Sequence, residues 1–413
     1  MDWIILHDWA ALAIRWVHVV TAIAWIGSSF YFIALDLGLQ KAPGLPAGAH
    51  GEEWQVHGGG FYHITKYLVA PERLPEHLTW FKWESYSTWL TGLAMLAVLY
   101  WAQAELYLID PAKMDLSVPV AVLISAGSLV VGWVIYDFLS KSALGENPTR
   151  LMLLLFVLLV VMAWGYDQVF TGRAALLHLG AFTATIMTAN VAMIIIPNQR
   201  IVVRDLKAGR APDPKYGKIA KLRSTHNNYL TLPVIFLMLS NHYPLAFASR
   251  WNWLIAALVF LMGVTIRHFF NTKHARKSWP WWTWGVTAAL FLACVALSML
   301  GVQREEEPTE TALSATQQRL VASAHFEQVR DIVAGRCSMC HAAEPSWEGI
   351  AVAPKHLAFE TDAQIARAAR EIYVQAGLTD AMPPANVSFV EPAERAAIRA
   401  WFRDVQGTPL AAN

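Results

Sequence analysis

The sequence predicts an all-α protein in two parts, a bundle of eight membrane-spanning helices and then a small soluble helical domain. Three observations predict it. Of 413 residues, 55% are hydrophobic and only 15% are charged, against roughly a quarter charged in an ordinary soluble domain. The apolar residues fall into eight runs of bilayer-crossing length. The charges are split between two regions: residues 302–413 hold 25 of the 63 charged side chains and are net −5, whereas residues 1–301 are net +6 and hold 17 of the 19 Trp. This balance excludes a disordered chain, a collagen-like chain, a disulfide-stapled mini-protein and a nucleic-acid binder with a large basic surface.

A hydrocarbon core needs about 20 apolar residues per helix. The eight runs lie at 10–38, 80–102, 117–140, 149–168, 174–197, 228–247, 252–271 and 280–301. The fourth, "RLMLLLFVLLVVMAW", and the eighth, "WWTWGVTAALFLACVALSMLG", are apolar throughout. The sixth is the most polar, with Asn227, Asn228, Asn241 and His242 at its ends. Trp251, Trp253, Trp279, Trp281 and Trp282 stand at span ends, where indole rings favour the interface. The first run has no small-residue cleavage site after a short apolar stretch, so it reads as a retained anchor. Cys294 sits among Ala, Val and Leu of the eighth run and reads as apolar packing.

Loop charge sets the orientation. Lys and Arg concentrate in the loops after spans one, three, five and seven, while the alternate loops carry only Lys113, Arg173 and Arg250. The basic loops are expected in the cytoplasm and both termini outside it, in the periplasm of a bacterial inner membrane. The basic segment 198–223 reads as a solvated topogenic loop, and no nucleic-acid partner is expected. The domains expected are the transmembrane module, 1–301, an acidic Thr/Ser-rich tether, 302–325, and a soluble domain, 326–408.

That last domain contains Cys337-Ser-Met-Cys340-His341. A C-x-x-C-H motif places two thiols to add across the vinyl groups of a haem and an imidazole beneath its iron. Met382, 41 residues further on and followed by two prolines, is the candidate distal ligand, with His356 as the alternative. The helix "FEQVRDIVAGR" and the closing helix "EPAERAAIRAWF" are expected to pack around the ring, with Trp401 against it. The domain resembles a class I cytochrome c, which implies one covalent haem c. Such attachment is periplasmic in bacteria, in agreement with the side read from loop charge.

Ionisable groups inside a bilayer are costly and usually functional. On the outer side are Arg15, His18, Asp167, His178 and His242. The His-x6-Trp-x-Gly of "RWVHVVTAIAWIGSSF" resembles the first span of membrane protoporphyrinogen oxidases and copper-resistance proteins. It makes His18, with His178 or His242, a candidate site for a second, b-type haem or a metal. The alternative is that these histidines hydrogen-bond between helices. On the inner side are Asp36, Glu84, Asp137 and Asn190, together with Thr225, His226, Asn227, Asn228, Arg267 and His268, which read as one substrate cluster. Arg and Asn suit a small planar anion, and His226 is the expected general base. The alternatives are snorkelling of Arg267 and His268 and a helix-cap role for the two asparagines.

Taken together, "RWVHVVTAIAWIGSSFYFIALD", "RSTHNNYLTLPVIFLMLSNHYP", "IRHFFNTKH" and the C-x-x-C-H domain resemble the bacterial membrane-bound urate oxidases with a C-terminal cytochrome c. The resemblance implies oxidation of urate to 5-hydroxyisourate, with electrons going to the protein's own haem and on to a soluble cytochrome c or a terminal oxidase, and no hydrogen peroxide. Composition and spacing alone allow two other readings: a dehydrogenase for a quinol or another small reductant, and a non-enzymatic membrane-anchored electron carrier.

Overall fold

The computed structural model describes residues 3–67, 75–300, 313–348, 350 and 353–406. Two compact units are present, Met1–Gln303 and Arg304–Asn413.

The first unit is built on long apolar helices. α1 (Trp3–Gly38) is followed by strands β1 (Ala49–His57) and β2 (Gly60–Tyr67), then α2 (Trp83–Leu96), short α3 (Ala104–Tyr107), α4 (Val118–Lys141) and α5 (Pro148–Val169). α6 (Gly172–Ala189) runs through a π-turn, Asn190–Ile195, into α7 (Ile196–Lys207). α8 (Pro214–Ser240), short α9 (Pro244–Phe247), α10 (Asn252–His274) and α11 (Trp282–Leu300) complete the unit. Local chemistry starts the helices where expected. Asn147 caps α5 by accepting from the amides of Thr149 and Arg150, and Asp213 caps α8; proline follows each cap, where its missing N–H costs nothing.

Among the described residues, six helices are long and apolar enough to cross a membrane: Ile5–Gly38, Val118–Lys141, Pro148–Val169, Gly172–Lys207, Asn252–His274 and Trp282–Leu300. The other two expected spans fall on α2 and α8, and both are more polar. α2 carries Glu84, Ser85, Ser87, Thr88 and Thr91, and α8 opens with four cations before reaching Ser224–Asn228. Their polar residues are tolerated because they point between helices: Ser85, Thr88, His226, Asn227 and Asn228 are all buried.

The all-helical expectation needs one correction, the antiparallel hairpin β1–β2 in the first loop. Its turn is Gly58-Gly59, at φ +61° and +80°, between the paired residues His57 and Gly60. Both turn residues therefore occupy the left-handed region of a tight two-residue loop, which glycine enters without steric cost. The run of three glycines between alternating residues was the signal for it.

Close helix crossings use small residues. A Cβ at Gly263 of α10 would lie 2.5 Å from the ring of Pro233 in α8, and one at Gly132 of α4 would lie 1.9 Å from Phe182 of α6. The π-turn after α6 has a local cause: Pro197 has no N–H to give to the carbonyl one turn back, so the backbone widens there.

The second unit contains α12 (Ala315–Val321), α13 (Phe326–Arg336), α14 (Asp362–Arg367), α15 (Ala369–Ile372) and α16 (Pro392–Gln406). Residues 302–312 of the expected tether and residues 407–408 of the expected soluble domain lie outside the described residues. The rest of the tether is not a linker. A Ser314–Gln317 capping box starts α12, and Leu320 is buried. Trp401 of α16 is wholly buried, 5.9 Å from the Phe326 ring, and its indole N–H donates to the Leu320 carbonyl at 2.9 Å. Trp401 thus ties the two ends of the unit together. Replacing Trp401 with Ala should cost about 3–5 kcal/mol, measured as a lower calorimetric transition temperature for this unit.

Candidate functional site

The sequence placed six polar residues at one membrane depth. The structure divides them between two clusters on different sides of α8 and leaves two of them out.

The first cluster joins α8 to α4 and the π-turn. Arg223, 2% exposed, donates to the Asp137 carboxylate at 2.7 Å and to Oδ1 of Asn190 at 3.1 Å. Asn190 Nδ2 donates to the Tyr136 hydroxyl at 3.2 Å and to Asn227 Oδ1 at 3.0 Å, and Asn227 passes its own amide hydrogen to the Met187 carbonyl. Tyr136 Oη lies 2.8 Å from His226 Nδ1. A guanidinium only donates, so Asn190 offers Arg223 its oxygen and turns its nitrogen to Tyr136. The Tyr136–His226 bond takes its direction from the imidazole tautomer. His226 Nε2 is buried and has no hydrogen-bond partner among the described residues.

The second cluster joins α8 to α10. Arg267, 4% exposed, donates from Nε to Asn228 Oδ1 at 3.3 Å and from a terminal nitrogen to Asn271 Oδ1 at 3.0 Å. Asn271 Nδ2 donates to Asn228 Oδ1 at 3.0 Å. The same logic fixes both amides, and Asn228 Nδ2 is left as a buried donor with no partner. The guanidinium carbon lies 4.0 Å from the centre of the Phe30 ring of α1. Among the described residues, no carboxylate lies within ion-pair distance of Arg267. Unlike Arg223, it is a buried cation without a counter-ion.

Thr225 and His268 stand apart. The Thr225 hydroxyl bonds back to the Lys221 carbonyl of its own helix, and His268 is exposed with its ring 6.0 Å from Trp282. Tyr136, Arg223, Asn271 and Phe30 were missed from the sequence. Asn271 had a signal, one helical turn after Arg267 in "IRHFFNTKH". Arg223 was hidden in a basic run read as loop, and Tyr136 in an apolar helix.

The histidines of the outer side are not brought together by any described contact. His18 packs on α2, with Nδ1 3.1 Å from the Thr88 carbonyl and 3.0 Å from Thr91 Oγ1. His178 uses both ring nitrogens, on Ser125 Oγ and the Ala174 carbonyl, each at 2.7 Å. With both nitrogens engaged, His178 does not fit an iron ligand in this arrangement. His242 is exposed in the turn after α8. Among the described residues, no three His, Cys, Asp or Glu side chains group as a metal site.

In the second unit, the C-x-x-C-H turn follows α13. Cys337 and Cys340 are free thiols. Burial pushes the Cys337 thiol up to about 11, with Cys340 and Glu394 adding to the effect. His341 Nδ1 lies 2.7 Å from the Leu357 carbonyl, and the ring stacks on Phe359 at 4.7 Å. Such a bond fixes the tautomer and leaves Nε2 free as an iron ligand. Met382 is 37% exposed, and Arg395 gathers its loop by donating to the carbonyls of Ala376, Thr379 and Met382 at 2.7, 3.2 and 3.0 Å. The donor set of two thiols and an imidazole whose Nδ1 is held by a carbonyl fits the chemistry of a covalent haem.

The Urate oxidase N-terminal family model matches residues 4–298, which covers both polar clusters of the first unit. No curated protein and no solved structure matches the chain. On a match spanning most of its length, the chain belongs to the Urate oxidase N-terminal family.

Proposed function

We propose that this protein is a cytochrome c-linked urate oxidase of the bacterial inner membrane, with both termini and the C-terminal unit in the periplasm. The reaction is urate plus water to 5-hydroxyisourate, two protons and two electrons. A haem c held by Cys337, Cys340, His341 and Met382 supplies the one-electron acceptor, and a soluble cytochrome c or a terminal oxidase lies beyond it. Oxygen is then not the direct oxidant, and no hydrogen peroxide forms.

The observation that carries the substrate assignment is Arg267. A buried guanidinium without a carboxylate costs several kcal/mol unless an anion joins it. Urate is an anion at neutral pH, planar, and rimmed with carbonyl oxygens. Its chemistry matches what the α8–α10 cluster offers: a guanidinium for charge-assisted bonds, the unpaired Nδ2 of Asn228 as a second donor, and Phe30 as an aromatic neighbour. Asn271 holds Arg267 and Asn228 in register.

His226 takes a different role from the general base expected of it. It lies on the side of α8 away from Arg267 and Asn228 and belongs to the network of Tyr136, Asn190, Asn227 and Arg223, whose members hold α8 against α4 and the π-turn. Thr225 and His268 take no part in the proposed site.

The test mixes oxidised, air-free membranes with urate or with a quinol and follows the reduced c-haem band. Reduction by urate without oxygen is the expected result. Reduction by quinol alone, or by neither donor, overturns the proposal, in favour of a quinol dehydrogenase or an anchored electron carrier respectively.

A further inference from the structure

The β1–β2 hairpin is not used by any step above, and its position relative to α1 is unusual for a loop. It does not lead away from the helix end. Gln40, two residues beyond α1, pairs with Glu52 through both backbone bonds, at 2.8 and 2.9 Å. Further along β1, the side-chain amide oxygen of Gln55 accepts from the Tyr31 hydroxyl at 2.7 Å. Tyr31 lies seven residues inside the C-terminal end of α1, about 10 Å back along the helix axis. The hairpin therefore folds back alongside α1, with its turn at or beyond the depth of Tyr31 and Phe32. That depth belongs to the apolar part of a helix able to cross the membrane.

The side chains are graded along this direction. At the base, every charged group has a partner: Lys66 with Asp36, Glu52 with His63 at 2.7 Å, and Glu53 with Arg276 at 3.3 Å. Toward the turn the outward face is apolar and bare. Trp54, Val56 and Phe61 share one face by strand alternation and are 62, 72 and 77% exposed. Trp54 stacks on His63 at 4.2 Å, which places the amphipathic ring at the boundary between the two zones. The turn itself is Gly58-Gly59, which adds no polar side chain at the deepest point.

We propose that the tip of this hairpin is a lipid-binding element, inserted at the boundary between headgroups and acyl chains with Val56 and Phe61 as its apolar wedge. The depth is bounded from both sides. Large apolar side chains gain by leaving water. The unpaired backbone groups on the edges of a two-stranded sheet forbid entry into the hydrocarbon core, where each would cost several kcal/mol. Trp54 and Tyr62 then occupy the interfacial level that such rings favour. The element anchors the end of α1 to the membrane surface, and because Arg276 pairs with Glu53 it couples the α10–α11 connection to the same surface. The proposal concerns the first unit alone and stands whatever the substrate is.

The experiment uses the full-length protein in lipid nanodiscs, with Cys294→Ser, Cys337→Ser and Cys340→Ser as background, so that each introduced cysteine takes the label. Nitroxide labels are placed singly at Val56→Cys, at Phe61→Cys and, as a reference at the strand base, at His50→Cys. Relaxation by oxygen, which concentrates in lipid, is compared with relaxation by a water-soluble nickel chelate. At Val56 and Phe61 oxygen should dominate by about tenfold over its ratio to nickel at His50. A nickel response at Val56 and Phe61 equal to that at His50 would place the tip in water and overturn the proposal. Exclusion of both reagents would also overturn it, because the tip would then be covered by protein, such as a second copy of the chain. The labelled positions are surface sites, so folding is not at stake in the comparison.

Discussion

Arg267→Met should abolish urate-dependent reduction of the haem and at the same time stabilise the substrate-free protein. Truncating one partner of a buried, hydrogen-bonded charge pair costs about 2–5 kcal/mol, which is about 30- to several-thousand-fold in binding. The opposite sign for stability comes from the missing counter-ion. Arg267 is a buried cation, 4% exposed, whose partners among the described residues are neutral: the Asn228 and Asn271 amides and the Phe30 ring. Replacing a whole buried ion pair by apolar side chains of similar volume is often neutral or gains about 1–4 kcal/mol, and an uncompensated buried charge is itself destabilising, so a gain in this range is expected when Arg267 is replaced. The Asn271–Asn228 bond survives the change. The measurement is a pair: anaerobic urate titration of the haem band, and thermal unfolding without substrate. Urate should in turn raise the melting temperature of the wild type, by about 2.7 kcal/mol of linkage at a hundred times Kd, and leave Arg267→Met unmoved. A variant that is destabilised yet still reduced by urate would show Arg267 to be a structural residue.

The second large effect is expected in the C-terminal unit. Cys337→Ala with Cys340→Ala should leave no haem attached after denaturing electrophoresis or acidic-acetone extraction, and electron output from urate should fall to background. His341→Ala should keep attached pigment in part but lose the ligand that the Leu357 carbonyl orients. The same extraction decides the b-type haem expected from His18: pigment released into acidic acetone from the wild type would support it, and covalently retained haem alone would remove it. His178 already has both nitrogens engaged, so His178→Ala should leave any released pigment unchanged. Loss of covalent haem with full urate turnover to another acceptor would separate the catalytic unit from the cytochrome reading.

The helices were legible because their signals are local. Apolar length, proline after a capping Asn or Asp, and Trp at run ends all act within a few residues of one another. The two expected spans that do not stand out as membrane-crossing helices, α2 and α8, are polar because their buried groups bond across helices, and hydropathy averaged along one helix cannot register a partner on another. The hairpin was overlooked for a different reason. A loop expectation built from membrane topology asks only for charge, whereas Gly58-Gly59 flanked by alternating residues encodes a tight turn.

The polar site shows the same boundary between local and distant information. From residue types and depth, Arg267, Asn228, His226 and Asn227 could be selected. Two facts lay beyond reach: α8 presents His226 and Asn228 to different neighbours, and among the described residues Arg267 has no carboxylate where Arg223 has Asp137. Tyr136 has no polar sequence neighbour to mark it other than Asp137, yet it bonds to His226, 90 residues away.

The sequence by itself determined the partition of this chain into an apolar, cationic part and an acidic, more highly charged one, because burial preference and charge are properties of single residues. It also determined the cysteine and histidine spacing of the C-x-x-C-H turn, because five consecutive residues carry that chemistry together. Only the tertiary structure decided which polar groups are satisfied and which are left open. A hydrogen bond has direction, and the direction at Asn228 is imposed by a donor-only guanidinium that reaches it from another helix. The unpaired donors that make the site a site are therefore a property of the packing, not of any one segment.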